Sequence, residues 1–359
     1  MTKRVRVLVV DDSATARLLL VSILRADPGI EVIGEAADGV EAIDLVKRLR
    51  PDIVTMDVQM PRLDGFAATK RIMVEEPTPI LITTGLDPRA LSVSLEAVRA
   101  GALAVHAKPG DPRLPGFDDE ASELVRQVKA MSKVKVVRHH QLDPVAASTA
   151  HAPTPAMLRE GPIEVVAIAT STGGPAALHL ILSALPADFP LPILVVQHIS
   201  RGFTLGFAGW LDQASKLRVK LAQEGETIAA GTVYIASDDH HLIASPVRRI
   251  HLSSAVEVGG FRPSGTPLFE SVAVAYGHSA LAVILTGMGR DGVDGLRAIR
   301  NAGGRIIAES EETAVVYGMP GAAVAAGLAD FVFRLDRIIA TLCGLVAPVD
   351  ARKTGELVP

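Results

Sequence analysis

The sequence predicts two α/β units, each a doubly wound parallel sheet with helices on both faces, joined by a linker. Three observations predict this. At 359 residues, the chain holds about two domains at roughly 100–200 residues each. Short apolar runs alternate with amphipathic stretches up to residue 131, and the alternation resumes after residue 161. Between them, residues 132–160 carry Pro144, Pro153 and Pro155, His139, His140 and His151, and many Ala, Ser and Thr, with no sustained apolar period. That is linker composition, and a flexible segment of this size reaches about 30 Å. The expected units are therefore 1–131 and 161–350.

Each element has its own signal. Val5–Val10 is a buried strand, and Ser13–Ala26 a helix capped by Ser13. Ile30–Glu35 is a strand, Gly39–Leu49 a helix, Ile53–Met56 a strand and Phe66–Val74 a helix. Ile80–Thr83 is a strand, Arg89–Ala100 a helix, Ala102–Ala107 a strand and Asp118–Met131 the last helix of the unit. Five strand–helix pairs of this kind imply a parallel sheet. In the second unit, strands are expected at Ile163–Ala169, Ile193–Gln197, Thr232–Ile235, Leu281–Leu285 and Arg305–Ala308. Helices are expected at Pro175–Ala184, Leu205–Ser215, Leu268–Ala275, Gly292–Ala302 and Ala322–Ala326. Short apolar strands within Ile228–Ser253 suit an antiparallel hairpin or two. No repeat of fixed period is present.

Composition excludes several classes. Hydrophobic residues make up 48% and charged residues 21%, which supports two packed cores rather than disorder. A net charge of −4 and a pI near 6.2 argue against a dedicated nucleic-acid binder. Mean hydropathy is +0.32, yet the longest uncharged run, Val165–Ala187, is interrupted by Gly173, Gly174, Pro175 and Pro186, unlike a spanning helix. The apolar run after MTKR is too short for a signal-peptide core. With Cys343 as the one cysteine, no intramolecular disulfide can form. The expectation is a cytoplasmic protein without membrane insertion.

Polar residues gather at strand ends, where open α/β sheets bind ligands. In the first unit Asp11 and Asp12 follow the first strand, Asp57 the third, Thr84 the fourth and Lys108 the fifth. Three converging carboxylates favour a hard divalent cation such as Mg²⁺. A carboxylate among them can attack phosphorus, with Thr84 and Lys108 holding phosphoryl oxygens. Any one of these aspartates alone is an ordinary turn or cap residue; the five positions on successive strands are not.

These residues resemble the receiver domain of two-component response regulators. The matches are VLVVDDS (Val7–Ser13), DIVTMDVQMPRLDG (Asp52–Gly65), ILITTG (Ile80–Gly85) and AKP (Ala107–Pro109). The resemblance implies a five-stranded receiver sheet and phosphorylation of Asp57 by a histidine kinase. It implies Mg²⁺ held by Asp12, Asp57 and the Gln59 carbonyl, with Asp11 acting through water. It also makes Pro109 the family's usual cis-proline. Val105 stands where many receivers carry an aromatic switch residue, so a rotating aromatic is not expected to carry the signal.

In the second unit Ser171 follows one strand, His198 another and Asp291 a third. Ser171 lies in AIATSTGGP, a strand-to-helix turn with Pro175 suited to the first helical turn. A serine nucleophile needs a base, and the base needs a carboxylate to fix its tautomer. Taken singly, Ser171 reads as a cap, His198 as a structural loop residue and Asp291 as a cap for the helix at Gly292. The order Ser…His…Asp and the absence of a GxSxG elbow exclude a lipase-type hydrolase.

STGGP (Ser171–Pro175), VVQHI (Val195–Ile199), RGFT (Arg201–Thr204), VYIA (Val233–Ala236), FRPS (Phe261–Ser264), ILTGMGRDG (Ile284–Gly292) and VVYGMP (Val315–Pro320) resemble the chemotaxis protein-glutamate methylesterase (CheB) family. The resemblance implies a serine hydrolase acting on glutamate γ-methyl esters of membrane chemoreceptors, with glutamine deamidation by the same machinery and no cofactor in the esterase unit. Ser171 is then nucleophile, His198 general base and acid, and Asp291 its orienting partner. The Met288 N–H, with one near the nucleophile turn, is then the expected oxyanion hole, and Thr172 helps shape the site. Ile199, Ser200 and Arg201 depart from the family pattern, as do Gly265, Thr266 and Pro267. The competing reading is a phosphorylation-dependent docking protein without catalysis, which leaves an intact Ser, His and Asp unexplained.

Other clusters read as structural. Asp238, Asp239, His240 and His241 sit side by side in a polar turn and do not suit a single metal ion. Arg248, Arg249 and His251 suit a solvated strand edge, and Cys343 a small buried hydrophobe.

Overall fold

The computed structural model describes residues 4–85, 97, 100–102, 104–132, 161–199 and 202–346. The expected helix at Arg89–Ala100 therefore lies mostly outside the described residues, as does the linker after Ser132.

The N-terminal half is a five-stranded sheet in the order β2-β1-β3-β4-β5, parallel throughout. Its strands are β1 (Val5–Val10), β2 (Ile30–Ala36), β3 (Ile53–Asp57), β4 (Ile80–Thr84) and β5 (Ala104–Ala107). Helices α1 (Ala14–Ala26), α2 (Gly39–Leu49), α3 (Gly65–Glu75) and α4 (Phe117–Met131) pack on it. Alternation along each strand sends residues to opposite faces. Leu8 and Val10 join one core with Val54 and Met56, while Val7 and Val9 join the other with Leu24 and Leu124. Ser13 caps α1, and the Asp38 and Asp64 side chains cap α2 and α3.

Two details differ from expectation here. Asp57 and Thr84 are the last residues of their strands rather than the first beyond them. Among the described residues the one cis peptide bond is Arg262–Pro263, so the bond between Lys108 and Pro109 is trans. The trans preference of an X–Pro bond is only about 0.5–1 kcal/mol, so local packing decides the isomer and sequence alone does not.

The C-terminal half is a seven-stranded sheet in the order β14-β13-β12-β6-β7-β9-β8, parallel in every pairing. Its strands are β6 (Val165–Thr170), β7 (Ile193–Gln197), β8 (Arg218–Leu221), β9 (Thr232–Ile235), β12 (Ala280–Ile284), β13 (Arg305–Glu309) and β14 (Phe331–Phe333). Strands β10 (His241–Ala244) and β11 (Ile250–Ser253) form the expected antiparallel hairpin, apart from the main sheet. Helices α5 (Gly174–Ala184), α6 (Thr204–Ala214), α7 (Gly265–Tyr276), α8 (Val293–Asn301), α9 (Met319–Ala325) and α10 (Leu335–Cys343) cover its two faces. The chain enters at β6, builds outward to β8, then returns to β12 on the other side of β6. That reversal is a topological switch point, where a crevice opens beyond the strand ends.

Candidate active site

The three residues expected to act together hang from three adjacent strands. β6 lies between β7 and β12, and Ser171, His198 and Asp291 follow β6, β7 and β12 respectively. Ser171 opens a turn whose carbonyl receives Gly174 N–H at 2.9 Å. Gly173, at φ +82, caps α5 without a side-chain bond, so Ser171 is not a cap. Gly174 is fixed by space: a Cβ there would lie 2.2 Å from Gln197 Oε1 and 2.3 Å from Thr170 Oγ1.

His198 Nε2 lies 2.8 Å from Asp291 Oδ2. The ring stacks on Phe261 with centroids 4.0 Å apart and planes 5° from parallel. A carboxylate can only accept, so Nε2 carries the hydrogen. Nδ1 is then the acceptor nitrogen, buried and without a hydrogen-bond partner among the described residues. Asp291 is 8% exposed and densely held. Ser264 Oγ donates to its Oδ1 at 2.6 Å, Gly265 N–H to its Oδ2 at 2.6 Å, and Thr266 Oγ1 to Oδ1 at 3.3 Å. Burial alone would raise this carboxyl. The hydrogen bond and electrostatic pull of the His198 ring, with the bonds from Ser264 and Gly265, outweigh burial and leave its pKa below the usual range. Gly292, not Asp291, is the cap residue of α8.

Ser171, Thr172, His198 and Met288 border one cleft of about 390 Å³. Its opposite wall comes from the N-terminal half, through Val105 on β5 and Glu123, Arg126, Gln127 and Met131 on α4. Val105, the position without an aromatic, therefore lines the same cleft as Ser171 and His198.

Several supporting residues were not singled out by the sequence. Gln197, 2% exposed, donates from Nε2 to the carbonyls of Ser171 at 2.8 Å and His198 at 2.9 Å. Thr286 receives Ser171 N–H on its carbonyl at 3.0 Å and donates its hydroxyl to the Thr172 carbonyl at 2.7 Å. Glu309, 1% exposed, accepts Thr286 N–H at 2.8 Å. Burial pushes its carboxyl up, against the bonds from Thr286 and Thr313. Gln197 and Ser264 stand within recognisable motifs, but which of their atoms matter depends on strand order.

The acidic cluster of the N-terminal half also assembles. Asp11 and Asp12 after β1 and Asp57 on β3 flank that sheet's own switch point. Their carboxylate oxygens lie within 4.8 Å of one another. Lys108 Nζ reaches Asp11 Oδ2 at 2.7 Å and Asp57 Oδ2 at 3.0 Å. Burial lowers the ammonium's pKa, but the two carboxylates more than restore it and keep it charged. Asp57 is held above the ordinary carboxylate range, by burial first and by the charge of Asp11, despite Lys108 and the Val58 N–H. One lysine thus leaves the three carboxylates under-compensated, and an all-oxygen donor set of this kind fits Mg²⁺. Thr84 is buried beside this cluster's sheet edge, and Gln59 is exposed on the loop after β3.

The turn at Asp238–His241 disperses rather than converging. Asp238 Oδ2 accepts Gly202 N–H, His240 Nδ1 turns to the Asp238 carbonyl, and His241 points elsewhere, to Ser264 and Val256. Arg248 pairs with Glu164 and stacks over Tyr276, Arg249 donates to Gly225 O, and His251 meets Glu224. Cys343 is half-buried rather than buried, against the Ala184 carbonyl, and burial raises its thiol.

Comparison with known proteins shows the family. The family model described as CheB methylesterase matches residues 166–342, and that of the response regulator receiver domain matches residues 7–114. A protein-glutamate methylesterase/protein-glutamine glutaminase of Myxococcus xanthus is 52% identical over 339 residues, covering 94% of this chain and 96% of the relative. One from Anaeromyxobacter dehalogenans is 53% identical over 336 residues, covering 93% and 97%. The crystal structure of the Thermotoga maritima CheB methylesterase catalytic domain is 40% identical. It covers 52% of this chain and all of that one, with a TM-score of 0.50.

Proposed function

This chain belongs to the CheB family of receiver-bearing protein-glutamate methylesterases, and on that premise we propose that Ser171, His198 and Asp291 carry out its ester hydrolysis. The observation that carries this assignment is the 2.8 Å bond from His198 Nε2 to Asp291, made by a ring that borders the same cleft as Ser171. Ser171 Oγ attacks the γ-ester carbonyl of a receptor glutamate, and its proton passes to His198 Nδ1. Asp291, a carboxylate at neutral pH, stabilises the imidazolium through the Nε2–H bond. The Met288 N–H receives the developing oxyanion, and the Thr172 carbonyl, tied to Thr286, holds the turn beside it. Methanol leaves with the proton from His198. Water, deprotonated by the same nitrogen, then cleaves the glutamyl-serine ester. A glutamine side chain enters the same sequence and releases ammonia, in keeping with the glutaminase activity in the relatives' names.

The receiver occupies residues 1–131 and the esterase unit 161–350, with 132–160 as tether. Asp57 accepts the phosphoryl group from a histidine kinase of the chemotaxis type, and Lys108 and Thr84 hold its oxygens. Asp12, Asp57 and the Gln59 carbonyl would hold Mg²⁺, with Asp11 acting through water, and the ion would offset charge on the transferred group. The esterase unit needs no cofactor. Its substrates are membrane chemoreceptors met from the cytoplasmic side; among the described residues no helix is long and apolar enough to cross a membrane. Because β5 and α4 of the receiver wall the cleft over Ser171 and His198, the unphosphorylated receiver restricts access for a receptor helix. Phosphorylation relieves the restriction by shifting the receiver surface to a second state.

Methanol release from methylated receptor membranes tests the assignment. Ser171→Ala loses on the order of 10⁴–10⁶-fold in turnover with the fold intact, and His198→Ala loses a similar factor. Near-normal turnover in Ser171→Ala overturns the mechanism.

A further inference from the structure

Asp291 is gripped by the first turn of α7, and that turn is itself tied to the β10–β11 hairpin. The tie is His241, 1% exposed. Its Nε2 lies 3.1 Å from the Val256 carbonyl, and its Nδ1 accepts the Ser264 N–H at 3.2 Å. A carbonyl only accepts and an amide N–H only donates, so the ring is neutral with its hydrogen on Nε2. Both nitrogens are used, and neither is left for a metal or a substrate.

Ser264 then turns its hydroxyl onto Asp291 Oδ1 at 2.6 Å, and the next N–H, of Gly265, meets Oδ2 at 2.6 Å. At its other end β10 is tied to α7 again, where Ala244 N–H meets Ser271 Oγ at 3.0 Å. The hairpin lies outside the seven-stranded sheet, so the strand order that fixes His198 does not fix it.

We propose that His241 is a positioning residue for ester hydrolysis, holding Ser264 and through it the Asp291 carboxylate on His198. The hydrogen-bond chain runs from the Val256 carbonyl through His241, Ser264 and Asp291 to the ring of His198. A carboxylate freed from this grip can rotate away from Nε2, and misplacement by about 1 Å in such a constellation costs on the order of 100-fold. The inference rests on the triad assigned above.

The two ring nitrogens can be separated by substitution. His241→Asn keeps an acceptor where Nδ1 stood; His241→Gln keeps a donor near Nε2 and loses that acceptor. Each is made in the full chain and assayed for methanol release from methylated receptor membranes with acetyl phosphate and Mg²⁺. The downfield imidazole N–H resonance of the His198–Asp291 bond is recorded on the same proteins. His241→Gln lowers kcat on the order of 10- to 100-fold, leaves KM within about twofold, and shifts or broadens the resonance. His241→Asn keeps most of kcat and an unshifted resonance. Ser264→Ala loses a factor like that of His241→Gln, and the double variant Ser264→Ala/His241→Gln loses no more than either single, as expected for one chain.

Equal losses in Asn and Gln with an unshifted resonance mean that His241 only packs the hairpin, and overturn the proposal. So do multiplicative losses in the double variant. Should His241→Gln fail to fold, the resonance in His241→Asn and Ser264→Ala decides: retained in the first and displaced in the second supports the proposal, and any other pattern overturns it. If the wild-type chain releases no more methanol than Ser171→Ala, the triad assignment fails, while the resonance still judges the hydrogen-bond chain.

Discussion

Each reactive side chain takes its chemistry from its immediate neighbours. Asp57 is poised by burial and by Asp11, and its attack on phosphorus is expected to need a divalent cation. Asp57→Asn blocks labelling from a small phosphodonor, and excess chelator does the same to the wild type; full labelling with chelator present contradicts the metal assignment. Burial acts in the same direction on Glu309, whose carboxyl is also pushed up. A carboxyl whose folded pKa is raised costs nothing below its unfolded value, about 4.3. It destabilises increasingly as pH rises through the folded value. Glu309→Gln keeps an acceptor for Thr286 N–H and cannot ionise. Urea unfolding followed at two pH values is expected to give equal stability near pH 4 and a more stable variant at pH 8; the reverse order contradicts a raised carboxyl. Asp291 has the other sign: its stabilisation is present above the ordinary Asp value and is lost as pH falls through its lowered pKa.

Elements were legible where the burial pattern is regular. Val5–Val10, Gly39–Leu49, Ile193–Gln197 and Thr232–Ile235 have the ends their sequences predict, because continuous apolar runs or clear amphipathic periods leave little choice. β8 and β14 were not foreseen: Arg218–Leu221 alternates charged and apolar residues at a sheet edge, and Phe331–Phe333 is three residues long. α10 lies at the end of the matched region, where no motif pointed to it. The triad could be named from motifs, but not the grip on Asp291. One of its three donors, the Gly265 N–H, is backbone, and a backbone donor has no signature in sequence. Local geometry also sets a sharp test. An alanine at Gly174 drives its Cβ against Gln197 Oε1 and Thr170 Oγ1, displacing the amide that orders the Ser171 and His198 carbonyls. Gly174→Ala is expected to cost about 1–3 kcal/mol in stability and on the order of 100-fold in turnover, measured by thermal melts and methanol release. Unchanged turnover would mean that Gln197 does not set the turn.

At the scale of the whole molecule the receiver and esterase share one cleft but, among the described residues, no core. A fragment beginning near Arg159 is therefore expected to fold, to outpace the untreated full chain by on the order of tenfold, about 1.4 kcal/mol of closed-state preference, and to ignore phosphodonor. A fragment no faster than the untreated chain would show that the receiver recruits the enzyme instead of covering it.

The separate cores have a consequence for unfolding itself. Among the described residues, the clusters on either face of the first sheet draw only on residues up to Met131, and those of the second only on residues from Ile163 onward. Cooperativity follows shared burial, so denaturant melts two blocks, each with its own midpoint and slope. If the receiver covers the cleft as proposed and gives way first, moderate urea is expected to uncover a still-folded esterase, and hydrolysis to rise before it falls. A single fitted transition would average two equilibria and describe neither.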